Sequence, residues 1–277
     1  MIVIIACFKV AWQILFGMRT SHFFLTLFLS SFGFAQPYQS PDSLRLTGEV
    51  SCVCQNFKDE TYLGLTSGEI IKLDHTGKID QQFSYPNMSE VTHISCSNPL
   101  KIMSYHQDNQ SYLLLERFNT NPRLYPITPN PNQRIEYATL APDQSLWMIT
   151  TLGMELIRRD VVGNEILLYQ LATLMDENEN ILGINDVGNQ LVIRTDQQLM
   201  SFNLAGQLIG KYLLENSSNA YLLKESLFIP KKNGVTSYSI QGKMITEINL
   251  PKDYQWVIEL KSTILLINED QLYWIPR

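Results

Sequence analysis

The chain has 277 residues, 45% of them hydrophobic and only 17% charged, with a formal net charge of −6. That is enough apolar material for one sizeable core, and no long charged or low-complexity tract points to disorder or a second domain. An acidic surface repels phosphate backbones and anionic lipid headgroups, so nucleic acid is excluded as a natural partner.

The first 35 residues differ from the rest. They hold no acidic residue, two basic ones (Lys9 and Arg19), and the apolar run FFLTLFLSSFGF (Phe23 to Phe34), followed by Ala35 with Gly33 two positions before it. This is the pattern read by signal peptidase, and a start at Met18 makes it compact. Residues 1–35 are therefore expected to be a signal peptide, with 1–17 an extension upstream of the true start, and 36–42 a short linker. Lys9 and the stretch from Arg19 to His22 interrupt the apolar runs, so no stable membrane insertion is expected after cleavage. Removal leaves 19 basic against 27 acidic side chains and an exported chain in the periplasm, on the outer membrane or outside the cell.

From Val50 onward one phrase recurs six times: an apolar run, a turn, a second run, a Gly or Asn turn, and a third run. In the fifth unit it reads SLFIPK, KNG, VTSYSI, QGK, MITEINL, and in the fourth QLVIRT, DQ, QLMSFNL, AGQ, LIGKYLL. The runs are short and β-branched, which suits meander strands rather than helices. Spacing of the third-turn glycines gives the period: Gly77 to Gly163 is 86 residues, twice 43, Gly163 to Gly206 is 43, and Gly206 to Gly242 is 36. In the intervening unit, FNTN (Phe118 to Asn121) supplies Asn, which tolerates positive φ, in place of Gly. Four strand-sized runs per period of this length predict the blades of a β-propeller.

First strands of the six blades are read as VSCVCQNF, VTHISCS, IEYATLA, ILGINDV, AYLLKE and QWVIELK. The sixth unit ends with TILLIN and QLYWIPR, one strand short. An unfilled place would leave an exposed edge and an unjoined ring. SLRLTG (Ser43 to Gly48), with Leu44 and Leu46 alternating with polar residues, is predicted to supply that strand. The fold class is thus all-β, a six-bladed propeller of four-stranded antiparallel blades over 43–277, closed by its N-terminal strand and monomeric.

LDHTGKIDQQF (Leu73 to Phe83) resembles the D-x-x-T-G-K segment of PQQ-like repeats, and over Ser43 to Arg277 the chain is similar to the six-bladed propellers of secreted bacterial proteins with NHL-like and PQQ-like repeats. The residues around the cleavage site resemble envelope proteins of Bacteroidetes. The resemblance implies the fold and carries no active residue with it.

Candidate chemistry is sparse. Cys52, Cys54 and Cys96 remain after export, and aligning VSCVCQN with THISCSN sets Cys54 level with Cys96. First strands of neighbouring blades tend to diverge beyond disulfide reach, and Cys-x-Cys lacks zinc spacing, so the three are read as buried, unreactive thiols. His75, His93 and His106 have no partner at metal spacing and are read as surface residues. No metal site, cofactor or catalytic residue is expected, although Glu136, Asn185, Asp186 and Glu259 in first strands leave open a metal-assisted hydrolase of the lactonase or esterase kind, or a small-ligand binder at the channel mouth.

The rim formed by loops joining fourth to first strands and second to third strands is acidic. Its residues Glu90, Asp108, Asp176, Glu177, Asp196, Asp253, Glu269 and Asp270, with Glu179 and Glu215, are the candidate partner-binding surface; Lys231, Lys232 and Lys252 are its few cations. The opposite rim carries the Gly turns and reads as structural. Trp147, Tyr238, Trp256 and Trp274 are spaced as blade core, leaving Tyr85 and Tyr254 as loop aromatics. The function expected is a non-enzymatic binding or scaffold module with a protein or glycan partner in the cell envelope.

Overall fold

The computed structural model describes residues 42–116, 121–127, 133–152, 154–214 and 219–277. The signal peptide and linker expectations, the FNTN turn, the loop at 128–132 and Glu215 lie outside these residues, apart from Asn121 and Asp42.

Six four-stranded antiparallel sheets are arranged as blades. Blade one is β2 (Val50–Gln55), β3 (Thr61–Leu65), β4 (Ile70–Leu73) and β5 (Ile79–Phe83). Blade two is β6 (His93–Ser95), β7 (Lys101–His106), β8 (Ser111–Glu116) and β9 (Arg123–Pro126). Blade three is β10 (Ile135–Leu140), β11 (Leu146–Thr150), β12 (Glu155–Arg159) and β13 (Glu165–Gln170), and a 3-10 turn over Leu171–Leu174 leads out of it. Blade four is β14 (Ile181–Val187), β15 (Gln190–Thr195), β16 (Gln198–Asn203) and β17 (Leu208–Leu213). Blade five is β18 (Tyr221–Leu223), β19 (Ser226–Lys231), β20 (Gly234–Ser239) and β21 (Met244–Asn249). Blade six is β22 (Trp256–Glu259), β23 (Thr263–Asn268), β24 (Gln271–Pro276) and, from the other end of the chain, β1 (Asp42–Arg45).

Closure by the N-terminal strand is as the missing strand requires. Ser43 pairs with Tyr273, Leu44 with Leu272 and Arg45 with Gln271. The strand begins at Asp42 and stops at Arg45, earlier than the SLRLTG reading; beyond it Leu46 N donates to Asp270 O at 2.7 Å and Val50 N to Glu269 O at 3.0 Å. The two leucines differ in what they cover. Leu46 is buried in the cluster that joins blades one, five and six, whereas Leu44 is 38% exposed on the outer wall.

Burial is greatest in the middle of each blade and least in its outer strand. The second and third strands are nearly continuous buried runs, as in β3 and β16, because a neighbouring blade covers each face. Outer strands such as β13, β17 and β21 alternate exposed and half-buried positions with period two, one face packed and one in solvent. Between blades lie the core clusters; Trp147 and Leu156 of blade three, for example, pack with Leu191, Met200 and Phe202 of blade four.

The recurring turn has a physical basis. At Asp74 the carboxylate accepts from Thr76 N at 2.8 Å and Lys78 N at 3.1 Å, and the chain then passes through Gly77 at φ +86° with a register shift in the ladder beside it. Asp160 with Gly163, Asn203 with Gly206 and Ser239 with Gly242 repeat the device. Such a turn followed by a glycine bulge fits the right-handed twist of the hairpin, which explains why the glycine spacing reports the blade period.

Candidate functional site

The first strands of the six blades line a central channel, and its two mouths differ in construction. The far mouth is where these strands end. There Ser97 Oγ of blade two donates to Asp186 Oδ2 of blade four at 2.7 Å, Gln55 Nε2 of blade one donates to Glu259 O of blade six at 3.2 Å, and Lys224 of blade five pairs with Asp59 of blade one. A cavity of about 20 Å³ remains, lined by Cys54, His93, Ser95, Asn185, Asp186 and Lys224 among others, room for about one water.

Beside this cavity the structure overturns the reading of the cysteines. Cys54 and Cys96 form a disulfide between blades one and two, with Cα atoms 6.1 Å apart. First strands converge on the channel axis, so equal level on neighbouring strands puts the two sulfurs in reach instead of apart. Cys52 is free and half-buried against the core cluster between blades one and two, and desolvation pushes its thiol up to about 12, which disfavours the reactive thiolate.

The histidines also differ from expectation. His106 is fully buried, with Nδ1 at 2.9 Å from Ser89 O and Nε2 at 3.0 Å from Ser104 Oγ, and burial holds its pKa below the ordinary value. His93 stands midway along the channel, Nε2 3.3 Å from Thr139 Oγ1, and burial aided by the charge of Arg194 depresses it to about 4. Among the described residues only His75 is exposed as read, in its turn. Asp186 is shifted the other way. Burial raises its carboxyl to about 6 against the Ser97 hydrogen bond, with the charge of Asp143 adding to the rise, and its Oδ1 has no partner.

The first-strand acids do not converge on one ion. Glu136 accepts from Thr151 Oγ1 at 2.9 Å, Glu259 pairs with Arg277 at 2.6 Å, and Asp186 is engaged with Ser97. Among the described residues no group of three or more His, Cys, Asp or Glu is arranged to hold a metal.

The near mouth, where first strands begin, is open. A cleft of about 570 Å³ runs between blades four, five and six, lined by Arg194, Asn219, Ala220, Pro230, Asp253, Tyr254, Gln255, Trp256, Asn268 and Glu269. Two of the predicted rim acids, Asp253 and Glu269, thus meet in one place. Asp253 is fixed by accepting from Asn233 N at 2.6 Å, and Glu269 sits at φ +52° in the β23 to β24 turn. The other rim acids are dispersed. Asp108 pairs with Arg134 and Asp270 with Arg45, Asp196 accepts from Asn180 N, and Glu90, Asp176 and Glu177 are exposed on loops of blades two and four. Glu179 is buried, bonded by Thr195 and Gln198, and is structural.

Sequence reasoning missed two lining residues. Trp256, read as blade core, is half-buried at the cleft, its ring 4.8 Å from that of Tyr221, which is itself anchored by accepting from Val257 N at 2.7 Å. Arg194, at the end of β15, reaches into the channel mouth. Its Nη2 donates to Leu182 O at 3.1 Å, and burial lowers its pKa to about 10, which leaves it a cation at neutral pH. The one signal available was compositional: an arginine in an otherwise apolar inner strand, QLVIRT.

The architecture defines a six-bladed β-propeller, and comparison with solved structures agrees. The chain is similar to virginiamycin B lyase from Staphylococcus aureus in a catalytically inactive variant crystallised with quinupristin, at 14% identity and TM-score 0.59, covering 85% of this chain and 98% of that one. It is similar to a streptogramin B lyase at 14% identity and TM-score 0.55, covering 85% and 87%. The propeller domain of Cps50 (Swd1) from Myceliophthora thermophila matches at 12% identity and TM-score 0.52, covering 85% and 98%. At these identities the likeness is one of fold. No family model matches the chain, and no curated protein matches it by sequence.

Proposed function

We propose that this chain is an exported, non-enzymatic propeller of the bacterial envelope that binds a protein or glycan partner through the near rim, with the cleft between blades four, five and six as its docking point. The observation that carries this reading is the asymmetry of the channel. One mouth is tied across by inter-blade bonds, and the other presents a cleft of about 570 Å³ edged by Asp253, Glu269 and Trp256. Its size is that of a ligand-binding cleft, and it mixes an aromatic with convergent polar groups. The Cys54–Cys96 disulfide supports export, since such bonds persist in oxidising compartments. The acidic net charge and the dispersed first-strand acids favour recognition over metal-assisted hydrolysis.

The test is capture of partners from envelope extracts on the immobilised mature protein. Trp256→Ala combined with Asp253→Asn is expected to abolish capture, while Gly163→Asn on the far rim leaves it intact. Equal capture by all three proteins would move the docking face elsewhere.

A further inference from the structure

We infer that the near-mouth cleft is a receptor for a carboxylate, held by Arg194. The inference rests on the near mouth being the binding face and adds the chemical class of what it holds. A guanidinium withdrawn from water is normally matched by an anion or a full set of acceptors. Arg194 has neither: its contact is the neutral carbonyl of Leu182, its Nη1 has no acceptor among the described residues, and no described carboxylate lies within ion-pair distance. The titratable groups that influence it, Tyr137 and His93, are both uncharged at neutral pH. The fold leaves this cation uncompensated.

A second donor without an acceptor belongs to a residue that lines the same cleft. Trp256 Nε1 is buried and unpartnered, while its ring is held against Tyr221. An arginine fork and an indole N–H are donors only, so the group that satisfies them must offer acceptors, and the uncompensated positive charge selects an anionic one. A carboxylate matches the planar fork with two parallel hydrogen bonds. Phosphate and other polyanions fit less well, because Asp253 and Glu269 edge the entrance and the whole chain is acidic. The cleft is far larger than one carboxylate, so the anion belongs to a small molecule or to a chain end whose remaining part is neutral or cationic and lies toward those two acids.

The experiment is calorimetric titration of the mature protein with N-acetylglycine and with glucuronate, each beside its uncharged counterpart, N-acetylglycinamide or glucose, and with inorganic phosphate. At least one acid is expected to bind about tenfold or more tightly than its counterpart and than phosphate. Arg194→Met should erase that preference without lowering the melting temperature, since it removes an unpaired buried charge, and Arg194→Lys should keep part of it. Trp256→Phe, which keeps a ring and removes the N–H, should weaken acid binding severalfold. Acids and counterparts binding alike, neither acid binding at about 10 mM, or phosphate binding best would overturn the assignment. Partner capture separates the two readings: capture lost in the Trp256→Ala, Asp253→Asn protein but unchanged in Arg194→Met keeps the docking face and removes the carboxylate, whereas capture kept in both removes the docking face.

Discussion

The two mouths of the channel are built from the same six strands and come to opposite ends. At the far mouth most polar groups are spent on one another: Ser97 on one oxygen of Asp186, Gln55 on the Glu259 carbonyl, Lys224 on Asp59, and Cys54 on Cys96 by a covalent bond, with Asp186 Oδ1 the exception. At the near mouth Arg194 and Trp256 hold donors in reserve, and the walls stand apart. The difference teaches where to look for function on a ring of near-equivalent repeats. Groups satisfied internally hold the ring together, and groups left unsatisfied at the cost of stability point to an outside partner.

The largest test of this division is removal of the closing strand. A chain beginning at Gly48 loses the β1 ladder and the burial of Leu46, together on the order of 5 kcal/mol, comparable to a domain's net stability. Because Leu46 N bonds Asp270 O and the neighbouring Glu269 edges the cleft, what remains folded should lose near-mouth binding first. Urea denaturation of proteins starting at Ser40 and at Gly48 measures the effect; equal midpoints would show that β1 does not close the ring.

The disulfide sharpens the contrast from the other side. Replacing Cys54 and Cys96 by Ser frees a loop of 42 residues' separation and is expected to cost about 3 to 4 kcal/mol. The loss belongs to the far mouth, so ligand affinity at the near mouth should change little at temperatures where the protein stays folded. A large fall in affinity with modest destabilisation would mean that the two mouths are coupled.

The smallest effect is a hidden pH dependence. Asp186 titrates at about 6 in the fold against an ordinary 3.8, so its contribution to stability is full at low pH and is lost as pH rises through 6. His93 titrates at about 4 against an ordinary 6.5, so its contribution is full above 6.5 and is lost as pH falls through 4. Between about pH 4 and 6.5 the two slopes oppose and nearly cancel. Asp186→Asn should therefore reveal stability rising by about 3 kcal/mol across this window, and His93→Gln a fall of similar size, both by denaturant titration in steps of pH. Matching flat profiles in both variants would show that channel water screens the pair.

Much of the fold was legible because its signals are local. Third-turn glycines need positive φ, outer strands must alternate, and a blade with three strands demands a fourth, so the period, the six blades and the closing segment follow from residues read in order. The meeting of Asp253 and Glu269 was partly legible, since both sit in loops of one rim. The disulfide was half visible in the level alignment of Cys54 with Cys96; what the alignment lacked was the convergence of neighbouring strands at the axis.

The amino-acid order alone determined strands, turns and blade count, since each depends on spacing within a few residues or on one missing partner. Only the closed ring decided that Arg194 and Trp256 share a cleft, that Ser97 reaches Asp186 across the bore, and that His93 and His106 are enclosed. Those pairings join residues tens of positions apart through the curvature of six packed sheets, and curvature is set by packing between blades, which no single strand encodes.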